Sequence, residues 1–203
     1  NSFDELYEAL QKQPTYIDTV LLSILAAKIE IIQPTLFLIS VPFPGNLYAA
    51  FRSAQLIKEN HPDIKILMGG GFANTELRSL SDERVFEFFD FITLDDGELP
   101  IELIVENIES ETNAEFKRTF LLENRKVVYK NNSPRHDYKQ SQVGTPDYSD
   151  LLLDKYISVI EIVNPMHRMW SDGRWNKLTM AHGCYWGKCT FCDISLDYIK
   201  VYE

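Results

Sequence analysis

Residues 36–41 read LFLISV and residues 64–71 read IKILMGGG. Both are short apolar runs: the first is followed by Pro42, Pro44 and Gly45, and the second ends in three glycines. Continuous apolar runs of this length are typical of strands buried on both faces of a sheet. Between them, apolar residues recur at helical spacing: Leu47, Ala50, Phe51, Ala54 and Ile57. A strand, a helix and a second strand joined by short connections predict two parallel strands with a right-handed crossover.

The alternation continues on both sides of these runs. A helical stripe precedes the first strand, made of Ile17, Val20, Leu21, Ile24, Leu25 and Ile29. A short helix over 75–80, a third strand over 89–94 and a helix that carries Pro100 in its first turn come next. Residues 118–122 and 126–130 indicate an antiparallel hairpin at the sheet edge. We therefore predict an α/β fold with a doubly wound, mostly parallel, Rossmann-like sheet.

Composition limits the class of protein. Hydrophobic residues make up 45% of the 203 residues and aromatic residues 12%, enough for a packed core. A formal charge of −10 argues against a nucleic-acid surface and favours a small-molecule substrate. No apolar run reaches the roughly 20 residues of a membrane helix, so we expect no membrane partner. The cysteines do not form a disulfide framework, and we expect a cytoplasmic location.

The three cysteines lie together in residues 181–193, which read AHGCYWGKCTFCD. Cys184, Cys189 and Cys192 fall within nine positions, so their thiols can converge on one metal centre at little loop-closure cost. Thiolate ligands select iron–sulfur clusters or zinc, and Gly183 and Gly187 let the backbone curl. From the residues alone, a cluster, a zinc site with His182 as fourth ligand, and cysteines without a metal all remain open.

This loop resembles the cluster motif of the radical S-adenosylmethionine enzymes, and the chain resembles their subgroup with an N-terminal cobalamin-binding domain. The resemblance implies that Cys184, Cys189 and Cys192 hold a [4Fe–4S] cluster whose free iron binds S-adenosylmethionine, with a reductant protein as partner. It also matches Phe191 to the aromatic residue before the last cysteine, and residues 177–180 to the first barrel strand. The first gap holds four residues, 185–188, where the common motif has three.

Residues 35–98 resemble the cobalamin-binding fold of that subgroup. By this resemblance, Ser40, Gly69, Gly70 and Gly71 line a pocket for the cofactor's nucleotide tail. Glycines at the carboxyl edge of a parallel sheet fit that role, because they let a ligand approach the backbone. The Asp-x-His-x-x-Gly motif that supplies a histidine to cobalt is absent from the sequence. Cobalamin binding therefore stays open at this point.

We expect a cobalamin-binding-like α/β domain over 1–130, a linker over 131–176 and the beginning of a radical S-adenosylmethionine (β/α) barrel over 177–203. A complete barrel takes about 200 residues or more, so we expect the front part of a longer enzyme and no turnover by these 203 residues alone. The full-length reaction would be radical C–H activation or methyl transfer. The alternative is an α/β ligand-binding or docking module with a zinc-bound cysteine tail and no radical chemistry.

Overall fold

A computed structural model describes residues 2–110, 115–147, 149, 151, 181, 183–190, 192, 196–200 and 202. The strand expected over 177–180 and most of the expected linker after residue 151 lie outside the described residues. The chain forms two compact units, Asn1–Asp137 and Tyr138–Glu203.

The first unit contains the helices and strands of the predicted α/β domain. Its elements are α1 (Asp4–Leu10), α2 (Tyr16–Ile32), β1 (Leu36–Ser40), a 3-10 turn (Pro44–Asn46), α3 (Leu47–Asn60), β2 (Lys65–Gly69), α4 (Gly71–Glu76), a second 3-10 turn (Glu83–Glu87), β3 (Phe91–Thr93), α5 (Glu98–Ser110), β4 (Thr119–Glu123) and β5 (Lys126–Lys130). In the second unit, a short helix α6 covers Asp197–Lys200.

The five strands form one open sheet in the order β1-β2-β3-β4-β5. The strands β1, β2 and β3 are parallel, whereas β4 runs antiparallel to β3 and β5 antiparallel to β4. The predicted α/β class and the edge hairpin are therefore confirmed. The sheet is mixed, because β4 and β5 add an antiparallel pair to the parallel part.

Helices cover both faces of the sheet. On one face α3 packs against β2, with Phe51, Ala54 and Ile57 almost fully buried beside Ile66 and Met68. The helices α1 and α2 contribute Leu10 and Ile29 to the same core. On the other face α5 contributes Ile104 to a smaller cluster with Leu67 and Phe116. The stripe predicted for α3 is confirmed as a core face.

Three expectations from the sequence are wrong. The strand β1 is not buried on both faces: it lies at the sheet edge, and Leu38 is 48% exposed. The helix expected over 75–80 lies instead at Gly71–Glu76, directly after β2. In the α2 stripe only Leu21, Leu25 and Ile29 turn inward, since α2 packs on α3 with one face.

A buried arginine joins α3 to the first helix. The Arg52 residue is 3% exposed, and its Nη2 donates to the carbonyls of Ala9 (3.0 Å) and Lys12 (2.8 Å). Its Nη1 donates to the Leu10 carbonyl at 2.7 Å, and its Nε to the Tyr48 hydroxyl at 2.8 Å. The guanidinium thus binds carbonyls at and just after the end of α1, where the last turn of a helix lacks its usual N–H donors.

A capping box begins α2. The Thr15 backbone N–H donates to Asp18 at 2.8 Å, and the Asp18 N–H donates back to the Thr15 hydroxyl at 3.3 Å. The Tyr48 hydroxyl also donates to Asp18, at 3.0 Å. The Thr15 backbone N–H lowers the pKa of Asp18, and burial of the carboxyl opposes this without reversing it.

Ion pairs hold the end of the first unit. The Arg118 guanidinium donates twice to Asp137, at 2.7 Å each, and Arg135 pairs with Glu102 at 2.7 Å and with Glu106 at 3.0 Å. These pairs lie within the first compact unit, which ends at Asp137, and the domain bounds expected from the sequence stay a prediction. Among the described residues, no helix is long and apolar enough to cross a membrane.

Candidate functional site

The carboxyl ends of the parallel strands meet at one edge of the sheet, where open α/β sheets bind ligands. At this edge Ser40 of β1 is paired in register with Gly69 of β2, and Thr93 ends β3. The structure thus places Ser40, Gly69, Gly70 and Gly71 next to one another at this edge.

The protein's own backbone occupies the space in front of the glycine run. Gly70 has a φ of +97°, and a Cβ there would lie 2.8 Å from the backbone N and O of Val41. A Cβ on Gly71 would lie 2.9 Å from the Pro42 carbonyl oxygen. The loop is held in place because the Val41 N–H donates to Gly69 at 2.8 Å and the Phe72 N–H donates to Val41 at 2.9 Å. Close packing of two loops therefore accounts for both glycines without a ligand.

A buried carboxylate follows β3 at the same edge. Asp95 has a φ of +61°, and its side chain is 8% exposed. Its backbone N–H donates to the Asn74 side chain at 2.7 Å, and its carboxylate pairs with Arg78 and, at 3.8 Å, with the Nε of Arg118. These contacts pair Asp95 with positive charge inside the protein, so we assign it a structural role.

Arg118 holds the chain segment that surrounds Asp95. It donates to the carbonyls of Leu94 (3.2 Å) and Asp96 (3.0 Å) besides its pair with Asp137. Burial alone would lower the pKa of Arg118, but the hydrogen bonds to Asp137 and the nearby carboxylates raise it. The guanidinium is therefore fixed by its own protein partners.

A cavity of about 700 Å³ opens next to the carboxyl end of β2. Met68 and Phe51 line it from the core, Leu47 and Phe72 from the helices that follow β1 and β2, and Phe3 from the chain start. Its size and mostly apolar wall are typical of a small-molecule site. None of Ser40, Gly69, Gly70 and Gly71 lines it, although Met68 and Phe72 directly flank the glycine run.

The charged groups in this wall are acidic. Glu76 and Asp82 line the cavity, and the described lining residues include no Lys, Arg or His. Asp82 is already bound to Arg84, whose Nε and Nη2 donate to it at 2.9 and 2.6 Å. The hydrogen bond from Arg84 lowers the pKa of Asp82, so this group stays charged. The wall thus suits an uncharged or cationic group better than a phosphate.

Sequence reasoning missed this cavity. Its wall joins residues that are far apart in the chain, among them Phe3, Leu47 and Leu80. Each belongs to an apolar pattern that the sequence presents as ordinary core. A usable signal existed only at Met68 and Phe72, the large apolar residues on either side of the glycine run.

The cysteine loop lies in the second unit and is bent at two glycines with left-handed backbone, Gly183 (φ +77°) and Gly187 (φ +56°). The Gly187 N–H donates to the Sγ of Cys184 at 3.4 Å. The Cys184 N–H in turn donates to the carbonyl of Ile199 at 2.9 Å, two residues into α6. The loop is therefore tied to a neighbouring element through its first cysteine.

The three predicted ligands are free thiols: Cys189 is exposed, and Cys184 and Cys192 are partly exposed. Among the described residues, no group of three or more His, Cys, Asp or Glu is placed close enough to hold a metal ion. His182 and Phe191 lie outside the described residues. The donor set fits an iron–sulfur cluster chemically, since thiolate ligands and an amide N–H aimed at sulfur both occur at such clusters.

Compared with known proteins, the sequence matches no protein-family model and no curated protein.

Proposed function

We propose that this chain is the N-terminal part of a radical S-adenosylmethionine enzyme in which Cys184, Cys189 and Cys192 hold a [4Fe–4S] cluster. The observation that carries the proposal is the set of three unpaired thiols within nine positions, in a loop bent at Gly183 and Gly187. The reaction proposed for the full-length enzyme is radical C–H activation or methyl transfer on a small molecule.

The chain's own residues have separate roles in this proposal. The thiols of Cys184, Cys189 and Cys192, once deprotonated, would hold the cluster, and the site would have no fourth protein thiolate. The Gly187 N–H donates to the Cys184 sulfur, and this hydrogen bond would raise the reduction potential of a bound cluster by offsetting negative charge. When bound, the cluster supplies the electron that cleaves the sulfonium of S-adenosylmethionine. The exposed Lys188 adds a positive charge beside the ligands.

Cobalamin fits the described residues less directly. The spaces in front of Gly70 and Gly71 are filled by Val41 and Pro42, so these glycines form no open cradle for its nucleotide tail. We derive no reaction step through cobalamin. The neighbouring cavity supports a site for the apolar part of an organic ligand, and we propose cobalamin as the first candidate to be tested there.

Anaerobic reconstitution tests the proposal. The chain is incubated with ferrous iron, sulfide and reductant, and bound iron, sulfide and zinc are measured. We expect about four irons and four sulfides per chain, because three thiolates suffice to anchor a [4Fe–4S] cluster. S-adenosylmethionine should then change the electron paramagnetic resonance spectrum of the reduced protein, since it binds the iron without a thiolate.

Two variants make the result specific. Cys189→Ser should bind less than about a quarter of the iron, because it leaves two thiolates for a cluster that needs at least three. Thr190→Ser, the neighbouring substitution that keeps all three thiols, should bind as the unchanged chain does. Uptake of zinc in place of iron, lost on His182→Ala, would support the zinc-tail alternative and reject the cluster.

The same preparation is titrated with hydroxocobalamin, followed by absorbance. Saturation at one equivalent, abolished by the cavity-filling Leu47→Trp and retained by Leu38→Trp on the exposed edge strand, would place the ligand in the cavity. Absence of saturable binding would remove cobalamin from the proposal and leave the cluster assignment untouched.

A further inference from the structure

Helix α2 has two apolar faces, whose centres lie about 130° apart around the helix axis. Its inner face packs on the first unit's core through Leu25 and Ile29, and Leu21 is half-buried on the same face. Its other face carries a second row of apolar residues, here called the outer stripe: Tyr16, Ile17, Val20, Ile24, Ala27 and Ile31. At 3.6 residues per turn these six positions fall within about 100° of arc, the width of a normal packing face.

Every residue of the outer stripe is exposed. Tyr16 is 84% exposed, Ile17 77%, Ile24 58% and Ile31 78%, and Val20 is 42% exposed. With roughly 150–200 Å² for each fully exposed large side chain, these fractions give about 600 Å² of apolar surface. The largest apolar patch of a typical monomer covers about 300–600 Å², and one partner contributes about 800 Å² to a standard interface. The outer stripe is therefore large enough to form most of one side of an interface.

The spacing of the stripe matches a helix–helix seam. Ile17, Val20, Ile24, Ala27 and Ile31 alternate steps of three and four, the pattern by which two helices interlock. Ile17 and Ile31 lie seven residues on either side of Ile24, so the row is similar when read in either direction. No charged residue belongs to it. A two-fold axis at Ile24 would place each Ile17 opposite an Ile31 of the other copy.

We propose that the outer stripe binds the same stripe of a second copy of this chain, forming a two-fold symmetric dimer with antiparallel α2 helices. The occupant is a second copy because the stripe is complementary to itself, as a two-fold interface requires. Thr19, Ser23 and Lys28 border the stripe and form a polar rim. This inference concerns the first unit alone and does not depend on the cluster or on cobalamin.

Sedimentation velocity on the full 203-residue chain tests the dimer. The runs use reducing buffer and chain concentrations from about 1 to 200 µM, so that a dissociation constant in the micromolar range, as expected of an interface of this size, can be measured. We expect a reversible monomer–dimer equilibrium. Ile24→Asp should raise the dimer dissociation constant at least about 100-fold, because two carboxylates would face each other at the axis. Thr19→Asp adds the same charge outside the stripe and should leave the constant within about threefold, as expected of a rim position.

Cysteine cross-linking tests the antiparallel arrangement, in a background with Cys184→Ser, Cys189→Ser and Cys192→Ser. Ile24→Cys should form a disulfide dimer on mild oxidation, because the two positions meet at the axis. Ile17→Cys should not, since its two copies would lie about 20 Å apart, far beyond the roughly 7 Å that a disulfide spans between Cα atoms.

The outcomes separate the possible occupants. A chain that stays monomeric at 200 µM, or a dimer that survives both Ile24→Asp and Ile31→Asp, overturns the proposal. Monomers that bind lipid vesicles through the stripe would likewise overturn it and identify a membrane surface instead. Cross-linking of both cysteine variants would reject the antiparallel geometry. Circular dichroism of each variant confirms that the fold is retained, and the exposure of Ile24 and Ile31 makes this the expected result.

Discussion

The carboxyl edge of the sheet and the cysteine loop are both glycine-containing candidate sites, and they differ in what fills them. At the sheet edge, Val41 and Pro42 occupy the space in front of Gly70 and Gly71, and Asp95 is paired with two arginines. In the cysteine loop, three thiols are free, and the one described contact to a sulfur is a backbone N–H. The polar groups of the first site have partners within the protein. In the second site the described residues form no metal-binding group, and the three thiols are the ligands that we propose.

This difference separates two uses of glycine. A glycine run at a strand end is typical of ligand sites, but it is equally required where two backbones pack within van der Waals contact. Only the surroundings distinguish the two cases. We therefore infer that contacts within the first unit explain its glycine run. The three free thiols make the cysteine loop the better candidate for a ligand site.

The largest expected effect comes from removing the buried arginine of the first unit. Arg52→Met should lower the free energy of unfolding by about 3–5 kcal/mol, because carbonyls at the end of α1 and the Asp18 carboxylate lose a buried charged partner. Urea unfolding followed by far-UV circular dichroism measures it. Arg52→Lys keeps the charge without the fork of donors and should recover part of the loss.

A contrast variant sharpens this prediction. The chain with all three cysteines replaced by serine should unfold within about 0.5 kcal/mol of the unchanged chain, as expected of substitutions outside the folded core. If this variant lost as much stability as Arg52→Met, the cysteine loop would contribute to folding as much as the first unit does, which contradicts the comparison.

The second effect tests the packing explanation for the glycine run. Gly70→Ala should lower the free energy of unfolding by about 2–4 kcal/mol, because alanine is strained at a φ of +97° and its Cβ would meet the backbone of Val41 at 2.8 Å. Gly45→Ala is the matched control, since nothing lies within 4 Å of its Cβ position, and it should change stability by less than about 0.5 kcal/mol. If Gly70→Ala and Gly45→Ala changed stability equally, the loop at Val41 would move aside at no cost in free energy.

The smallest effect is a pH dependence in the first unit. The hydrogen bond from the Thr15 backbone lowers the pKa of Asp18 in the folded chain below its usual 3.8. Its contribution to stability is therefore complete above pH 3.8 and is lost as the pH falls through the lower, folded pKa. Urea midpoints measured from pH 5 down to pH 2 should fall less steeply in Asp18→Asn than in the unchanged chain. An unchanged slope would show that other carboxyls carry the acid sensitivity.

The sequence predicted the helix stripe of α3, the strands around Ile66 and Ile92, the hairpin of β4 and β5, and the α5 helix. These segments have short-range signals: periodic apolar residues, a proline in a first turn, and turn residues between strands. It predicted the wrong place for α4 because residues 75–80 have a weak period, while the helix begins at Gly71 as soon as β2 ends.

Strand order and side-chain partners could not be predicted from the sequence. The position of β1 at the edge depends on which strands pair, and the apolar run of residues 36–41 fits a central strand equally well. The pairing of Asp95 with Arg78 and Arg118 joins residues 17 and 23 positions apart in the chain, with no motif that connects them. The cavity could not be foreseen for the same reason.

By itself, the sequence determined the alternating strands and helices. It also determined the reactive groups, three thiols that lie close together because they are close in the chain. The tertiary structure decided how those elements are used. It turned one apolar face of α2 inward and left the other exposed, and it filled the space in front of Gly70 and Gly71 with backbone. Local pattern follows from neighbours along the chain, whereas burial and contact follow from residues brought together only by folding.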